Sequence, residues 1–368
     1  MKIPAVDLKI QYKNLKAQID ASIFSVIESS SFILGKRVEN FEQDFAKYLG
    51  VKEVVGVGNG TDALYLSLLA LGLKAGDEII TSAFSFYATV EPMCLLGIRP
   101  IFVDINEKTY NIDINKIEPA ITANTKAIIP VHLYGQACQM DKIMILAKKY
   151  NLAVIEDACQ AHGARFNEQR VGTFGDLACF SFFPGKNLGA YGDAGAIATN
   201  NQTWTAVLRS LRNHGRQEKY THERIGINSR MDGIQGAILA VKLKFLDEWN
   251  EKRRQIAAKY ISKLNGIKDI ILPEISPRSE HIYHLFVVRV KNRDQILAAL
   301  KAKGIEAGIH YPLPLHFQPA LKYLGHKAGD FPMAEMAAGE VLSLPIFPEL
   351  TDEQIDYVVS NLIEAIKQ

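Results

Sequence analysis

Residues 179–197 read CFSFFPGKNLGAYGDAGAI. An apolar run ends at Phe183, the pair Pro184-Gly185 turns the chain, and Lys186 lies in that turn among small residues. This pattern predicts a strand that ends in a tight loop carrying a lysine. Such a lysine is either simply solvated or able to form a Schiff base with a carbonyl cofactor, and the stretch alone leaves both interpretations open.

A second stretch, VIEDACQAHGA at residues 154–164, predicts a buried strand that runs directly into Glu156 and Asp157. A carboxylate at the end of an apolar strand is costly unless it is paired. Such a carboxylate has a structural role if it caps a helix or forms a salt bridge. Alternatively, it keeps a pyridine nitrogen protonated, which makes the ring of pyridoxal phosphate (PLP) an electron sink.

A third stretch, GVGNGTDAL at residues 56–64, predicts a glycine-rich turn that opens a helix near Thr61. Backbone N–H groups at such a helix start bind phosphate oxygens. Many strand-to-helix turns look similar, and Asp62 is equally explained as a capping carboxylate.

Around these stretches, short apolar runs alternate with helical stripes, which predicts an α/β fold with a mostly parallel sheet. Ligands of such sheets bind beyond the carboxyl ends of the strands, where all three stretches end. The predicted strands are 53–57, 77–82, 98–105, 126–134, 152–158 and 177–183, and the predicted helices are 60–73 and 139–150.

Helical patterns fill the first 50 residues and the stretch 232–264, and a strand at 283–290 followed by a helix at 294–304 predicts a smaller C-terminal α/β domain. We therefore divide the chain into a large domain, residues 1–250, and a small C-terminal domain, residues 251–368.

Composition excludes several classes of protein. The chain has 368 residues, 48% of them hydrophobic and 22% charged, and a net charge of +2, which argues against disorder, nucleic-acid binding and a polybasic membrane surface. Four cysteines without CxxC spacing argue against a disulfide framework. Without a secretory or membrane-spanning run, we expect a cytoplasmic protein, and the histidine spacing predicts no metal site.

The order of the three stretches resembles the aspartate-aminotransferase fold type of PLP enzymes (fold type I). Further segments resemble the DegT/StrS-type nucleotide-sugar aminotransferase family across nearly the whole chain. They are IPAVDLKIQY (3–12), TSAFSFYATVE (81–91), PVHLYGQ (130–136), RNHGR (212–216), GINSRMDGIQGAIL (226–239) and IHYPLPLH (309–316). Cys159 stands where the family has alanine, and Ala194 where it often has glycine.

The resemblance implies that the large domain binds PLP. Lys186 would form the Schiff base and move the proton, Asp157 would pair with the ring nitrogen, and Gln160 would contact the ring hydroxyl. Phe86 would stack on the ring, unless it is a core phenylalanine. The cofactor phosphate would be held by Gly60, Thr61 and Ser181.

Two further implications concern the partner and the sugar. Asn228 would reach the phosphate of a neighbouring subunit, which implies a homodimer with shared active sites, although a plain loop asparagine explains it too. Tyr191, His310 and Tyr311 would face the sugar, or serve only the structure. Arg212 and Arg216 are candidates for the nucleotide diphosphate or for ordinary ion pairs.

The function implied is amino transfer from glutamate to a nucleotide-linked keto sugar, namely a dTDP-3-keto-6-deoxyhexose, giving a dTDP-3-amino sugar and 2-oxoglutarate. Lysine at position 186 disfavours dehydration, because the family's dehydratases carry histidine there. A 4-keto sugar, a UDP-linked 3-keto sugar, or a regulatory protein that binds PLP without turnover are the alternatives.

Overall fold

The computed structural model describes residues 1–367, and its strands and helices follow. The strands are β1 (Glu53–Val57), β2 (Glu78–Ser82), β3 (Arg99–Val103), β4 (Thr125–Ile129), β5 (Ala153–Asp157), β6 (Arg165–Phe166), β7 (Gln169–Arg170), β8 (Leu177–Ser181), β9 (Gly195–Thr199), β10 (Ile270–Ile271), β11 (Ser279–Glu280), β12 (Phe286–Val290) and β13 (Val341–Leu344). The helices are α1 (Leu8–Ser29), α2 (Lys36–Leu49), α3 (Gly60–Ala70), α4 (Glu91–Leu95), α5 (Ile114–Ile117), α6 (Met140–Tyr150), α7 (Gln202–Leu211), α8 (Gly233–Leu243), α9 (Leu246–Leu264), α10 (Arg293–Ala302), α11 (Pro332–Glu340) and α12 (Asp352–Ile366).

Seven strands form the central sheet in the order β1-β9-β8-β5-β4-β2-β3. Strand β9 is antiparallel to both of its neighbours, and the other six strands run parallel to one another. The predicted α/β fold with a mostly parallel sheet is therefore confirmed.

Both faces of this sheet are covered, and successive residues of a strand point to opposite faces. In β5, Val154 packs with α2 and α6 side chains such as Phe45 and Ile143. The next residue, Ile155, packs on the other face with Leu64 of α3 and with α7. A continuous apolar strand is expected where both faces are buried.

Several predicted elements are shorter in the structure than predicted, and one predicted helical stretch is divided. The strand predicted over 126–134 ends at Ile129, because Pro130 has no N–H to continue the ladder. The helical stretch 232–264 is two helices, α8 and α9, separated by Lys244 and Phe245.

A second, three-stranded sheet in the order β10-β12-β13 lies in the C-terminal part of the chain. Its core includes Tyr260 of α9 and Leu362 of α12, and also Ile3 from the N-terminus, which forms a bridge with Ile305. The predicted division between residues 250 and 251 stays a prediction. Within residues 1–367, no helix is both long and apolar enough to cross a membrane.

Candidate active site

The three predicted stretches meet at one edge of the central sheet. Strands β1, β5 and β8 are parallel, so the glycine turn after β1, Asp157 at the end of β5 and Ser181 at the end of β8 lie on the same side. In the sheet register, Gly195 of β9 pairs with both Val57 and Ser181. A Cβ at Gly195 would lie 2.3 Å from the Asn59 carbonyl oxygen, so the turn approaches the sheet because residue 195 is glycine.

The two carboxylates at the end of β5 have different surroundings, because adjacent strand residues point to opposite faces. Glu156 accepts hydrogen bonds from His132 Nε2 at 3.0 Å and from the N–H groups of Gly172, Phe174 and Gly175, each at 2.8 Å. It therefore fixes the loop before β8, as the structural interpretation of the sequence allowed.

Asp157 is 5% exposed, so its carboxylate is buried. Its Oδ2 accepts from the Thr89 hydroxyl at 2.9 Å and its Oδ1 from the Cys159 N–H at 3.2 Å. No Lys, Arg or His nitrogen of the described residues lies within 4.0 Å of it. The carboxylate is thus oriented by neutral donors and free to receive a cationic N–H.

Residues 85–89 supply both an aromatic ring and the donor to Asp157. Thr89 ends a short 3₁₀ turn, Tyr87–Thr89, and accepts a hydrogen bond from Ser85 Oγ at 2.7 Å because its own proton goes to Asp157. Phe86 precedes this turn and is 56% exposed, which excludes the core interpretation of this residue. Sequence reasoning assigned no role to Thr89.

Gln160 connects two other predicted residues. Its Oε1 accepts from the Tyr134 N–H at 2.8 Å, which sets the amide so that Nε2 donates to the Tyr311 hydroxyl at 2.8 Å. The Tyr311 ring lies 5.7 Å from that of Phe86, centroid to centroid. Phe86, Gln160 and Tyr311 therefore form one group, and the Tyr311 O–H remains available as a donor.

The start of α3 lies against Ser181. Asn59 caps this helix by accepting from the Asp62 N–H at 2.8 Å, which leaves the first-turn N–H groups of Gly60 and Thr61 without an acceptor in the helix. A Cβ at Gly60 would come within 2.7 Å of Ser181 Cβ and 3.0 Å of Cys159 Sγ. The phosphate site predicted at Gly60, Thr61 and Ser181 stays a prediction, and Asn59, not Asp62, caps the helix.

Lys186 is half-buried in the loop after β8, where its N–H donates to the Phe183 carbonyl at 2.8 Å. Its ammonium forms no salt bridge with any described residue. Burial lowers the pKa of Lys186, while Cys159 and Asp157 raise it. A lowered pKa increases the fraction of neutral amine, which is the nucleophilic form.

His310 and His284 lie near the same lysine. Burial and the Lys186 charge lower the pKa of His310 to about 4, and its Nδ1 lies 2.8 Å from Ser343 Oγ. Burial, and after it the Lys186 charge, also lower the pKa of His284. The Nδ1 atom of His284 lies 3.2 Å from Asn187 Oδ1. Both imidazoles are therefore neutral at pH 7, and His284 is a residue that the sequence did not single out.

Tyr191 lies on a different side of the Lys186 loop. Its ring packs against Tyr12 and beneath Lys242, 4.2 Å from the ammonium, within the cluster formed by α1, α8 and α9. Its hydroxyl is buried and has no hydrogen-bond partner among residues 1–367. The structure gives Tyr191 no contact with Phe86, Gln160 or Tyr311, and its predicted role toward the sugar stays a prediction.

Asn228 is exposed and pairs through its backbone with Asn213. The next residue, Ser229, is buried and donates to Asp62 Oδ2 at 2.7 Å while accepting from the Gly58 N–H at 3.0 Å. The segment that carries Asn228 is thus attached to the glycine turn of its own chain, with the asparagine facing outward.

The two arginines of RNHGR differ. Arg212 is buried and donates to Glu42 Oε1 at 2.5 Å and to the Gly56 carbonyl at 2.6 Å. Of the two roles considered for Arg212, the structure therefore shows the ordinary ion pair. Arg216 forms no salt bridge within the described part of the chain.

Among residues 1–367 there is no group of three or more His, Cys, Asp or Glu side chains that could hold a metal.

PLP fits this arrangement on three observations. Asp157 is a buried carboxylate without a cation, which a protonated ring nitrogen would supply. The N–H groups of Gly60 and Thr61 are free for a phosphate. The exposed ring of Phe86 offers a face for stacking.

Residues 13–363 match the DegT/DnrJ/EryC1/StrS aminotransferase family. The chain belongs to this family, as the sequence segments predicted, and it is an aminotransferase. Family membership implies the use of PLP.

Curated relatives of the chain have several printed functions. A pleiotropic regulatory protein of Geobacillus stearothermophilus is 47% identical over 99% of this chain and 98% of its own. A UDP-N-acetyl-3-dehydro-alpha-D-glucosamine 3-aminotransferase of Acidithiobacillus ferrooxidans is 46% identical over 96% and 95%. A dTDP-3-amino-3,6-dideoxy-alpha-D-galactopyranose transaminase of Aneurinibacillus thermoaerophilus is 45% identical over 97% and 98%.

Solved structures show the same fold. DesV of S. venezuelae, in complex with a ketimine intermediate, has a TM-score of 0.97 and 42% identity, covering 100% of this chain and 99% of its own. NtdA of Bacillus subtilis, with the bound cofactor PMP, has a TM-score of 0.90 and 36% identity, covering 100% and 86%. The predicted fold type is confirmed.

Proposed function

We propose that this chain uses PLP to transfer an amino group from glutamate to a nucleotide-linked keto sugar, in particular a dTDP-3-keto-6-deoxyhexose. The products are a dTDP-3-amino sugar and 2-oxoglutarate. The observation that carries the proposal is a pair of oppositely charged groups, the buried Asp157 and the half-buried Lys186, which lie at one edge of the sheet without forming salt bridges. The transaminase of Aneurinibacillus thermoaerophilus supports the dTDP-linked product.

When bound, PLP supplies an aldehyde carbon that accepts the amino group and a ring that withdraws electrons from the reacting carbon. Asp157 would hold a proton at the ring nitrogen, because its two oxygens are fixed by Thr89 and by the Cys159 N–H. Gly60 and Thr61, with Ser181, would bind the phosphate, and Phe86 would cover one ring face.

Lys186 would hold the aldehyde carbon between reactions and carry a proton to and from the substrate during them. Burial favours the neutral amine that both tasks require. Tyr311, oriented by Gln160, offers its O–H toward the same space, and the neutral His310 lies next to it. We propose these two residues as sugar contacts, with Tyr191 as a third that approaches from the side of α8.

A shared active site in a homodimer is part of the proposal. The side chain of Asn228 faces outward while its neighbour Ser229 anchors the segment to the glycine turn. The exposure of Asn228 supports the proposal that it contacts the cofactor phosphate of a second copy of this chain.

Two relatives favour specific alternatives. The Acidithiobacillus ferrooxidans enzyme favours a UDP-linked 3-keto sugar, and the Geobacillus stearothermophilus protein favours a regulatory protein without turnover. The presence of Lys186 and Asp157 together argues for turnover, because a protein that merely holds PLP has no need of a lysine that exchanges protons.

The first test is the visible absorption spectrum of the purified protein with PLP, before and after glutamate is added. We expect a band from the lysine-bound cofactor that disappears with glutamate and returns with the accepted sugar. The panel contains dTDP-linked 3-keto, UDP-linked 3-keto and 4-keto sugars. Lys186→Ala should show no band, whereas Lys244→Ala, at an exposed position, should match wild type.

A band that ignores glutamate and every other amino donor would favour the regulatory alternative. The absence of any band from the wild-type protein would overturn the assignment of Lys186.

A further inference from the structure

Lys242 of α8 is a fully buried lysine without an acidic partner. Its Nζ donates to the Gly189 carbonyl oxygen at 2.7 Å and lies 4.2 Å from the centroid of the Tyr191 ring. No carboxylate of the described residues comes within 4.0 Å. Burial lowers the pKa of Lys242 to about 7, which shows how poorly this environment supports an ammonium.

An apolar side chain would fill the same space without that cost. Lys242 has no place in the proposed chemistry, since its ammonium lies over the Tyr191 ring and its hydrogen bond goes to a backbone carbonyl. The position of that carbonyl is the informative feature.

Gly189 belongs to the loop that carries Lys186. The loop folds tightly on itself: the Lys186 N–H donates to the Phe183 carbonyl at 2.8 Å, and a Cβ at Gly189 would lie 2.3 Å from the Pro184 carbonyl oxygen. A displacement of Gly189 is therefore transmitted through closely packed backbone to Lys186.

The other flank of Lys186 has an anchor of its own. Asn187 donates from Nδ2 to Asn250 Oδ1 of α9 at 2.8 Å and to the Ile282 carbonyl at 3.3 Å. Lys186 thus lies between two buried attachments, one to α9 through Asn187 and one to α8 through Gly189.

We propose that Lys242 is a positioning residue for the reaction, holding the loop through Gly189 so that the Lys186 amine faces the aldehyde carbon of the cofactor. The proposal rests on the proposed function, because it assigns Lys242 a role through Lys186. Its action is indirect: Lys242 touches neither substrate nor cofactor.

The test measures how fast the absorption band of the lysine-bound cofactor forms when PLP is added to apo-protein. For Lys242→Met, whose unbranched side chain is one atom shorter and lacks the donor, we expect formation about tenfold slower, because the Lys186 amine is no longer held in place. The thermal midpoint of the apo-protein should be unchanged or higher, since an unpaired buried amine has been removed.

Two further variants serve as controls. Lys244→Met, at an exposed position two residues away, should form the band at the wild-type rate. Lys242→Gln keeps an N–H donor without the charge, so it should recover part of the rate if the hydrogen bond to Gly189 is what matters.

Formation within about twofold of wild type in Lys242→Met would overturn the proposal while leaving the proposed function intact. A wild-type protein without the band would overturn both. If Lys242→Met does not fold, Lys242→Leu, which also lacks a donor, carries the same comparison; failure of both to fold would also overturn the proposal, by assigning Lys242 to stability.

Discussion

Asp157 ends strand β5, Lys186 lies in the loop after the neighbouring parallel strand β8, and neither forms a salt bridge with any residue from 1 to 367. The Asp157 carboxylate raises the pKa of Lys186, against the larger lowering effect of burial. A buried carboxylate and a half-buried lysine that do not pair with each other indicate a space for a ligand that pairs with one and bonds to the other.

Asp157→Asn tests the charge at the ring nitrogen. The amide is nearly the same size, so the fold should be retained, but kcat should fall about 100-fold because the ring nitrogen loses its anionic partner. Single-turnover kinetics with glutamate measure the effect, and retention of more than about half of the rate would contradict the assignment.

Glu156→Gln is the matched comparison at the adjacent position. Glu156 accepts three backbone N–H bonds and one from His132, and an amide has a single acceptor oxygen. We expect a loss of about 2 kcal/mol in the free energy of unfolding, measured by denaturant titration. A protein of wild-type stability but without activity would show that the roles of the two carboxylates are reversed.

Gly60→Ala tests the close approach of α3 to Ser181. Because the new Cβ would lie 2.7 Å from Ser181 Cβ, either the helix or the strand end must shift, and we expect the dissociation constant of PLP to rise about tenfold. The control is Gly339→Ala in α11, where a Cβ has open space, and it should stabilise the protein by about 0.5 kcal/mol with unchanged PLP affinity.

Lys242 predicts a pH dependence of stability. Its pKa is lowered from its ordinary 10.5 to about 7 in the folded protein, so the unfolded chain binds more protons between these values. From about pH 7 to pH 10.5, wild type should therefore gain stability relative to Lys242→Met, at up to about 1.4 kcal/mol per pH unit.

Below about pH 7 the difference between the two proteins should be constant, because Lys242 is protonated in both the folded and the unfolded state. Parallel denaturant titrations across this range give the comparison. The groups that face Lys242 are the Gly189 carbonyl and the Tyr191 ring. Neither group carries a charge over this pH range as long as the Tyr191 phenol stays protonated. A difference that stays flat through pH 10 would contradict the lowered pKa.

The sequence was sufficient to predict which residues lie at the carboxyl ends of the central strands, since strand ends, glycine turns and apolar runs are local patterns. Asp157, Ser181 and the Gly60 turn could be located in this way, because parallel strands place their carboxyl ends together. The early end of β4 is local as well, since Pro130 removes one N–H, but the pattern of apolar residues continued past it.

What the sequence could not predict depends on contacts between distant segments. Lys242 stands in an ordinary helical pattern, and only the packing of α8 against the loop at Gly189 buries it. Thr89 and Tyr134 lie in segments that resemble the family, yet their hydrogen bonds to Asp157 and Gln160 cross 68 and 26 residues of chain. From the sequence, Arg212 could bind a diphosphate or form an ion pair, and only the fold shows that Glu42 is its partner.

The position of β1 at the edge of the sheet has a consequence for synthesis. Its single sheet neighbour is β9, so the turn at Gly60 acquires its place beside Ser181 after residues 195–199 have left the ribosome. More than half of the chain must be translated before the turn at Gly60 is fixed. If this turn binds the PLP phosphate as proposed, capture of PLP by a nascent chain begins late, and a ribosome-stalled fragment that stops before β9 would not retain it.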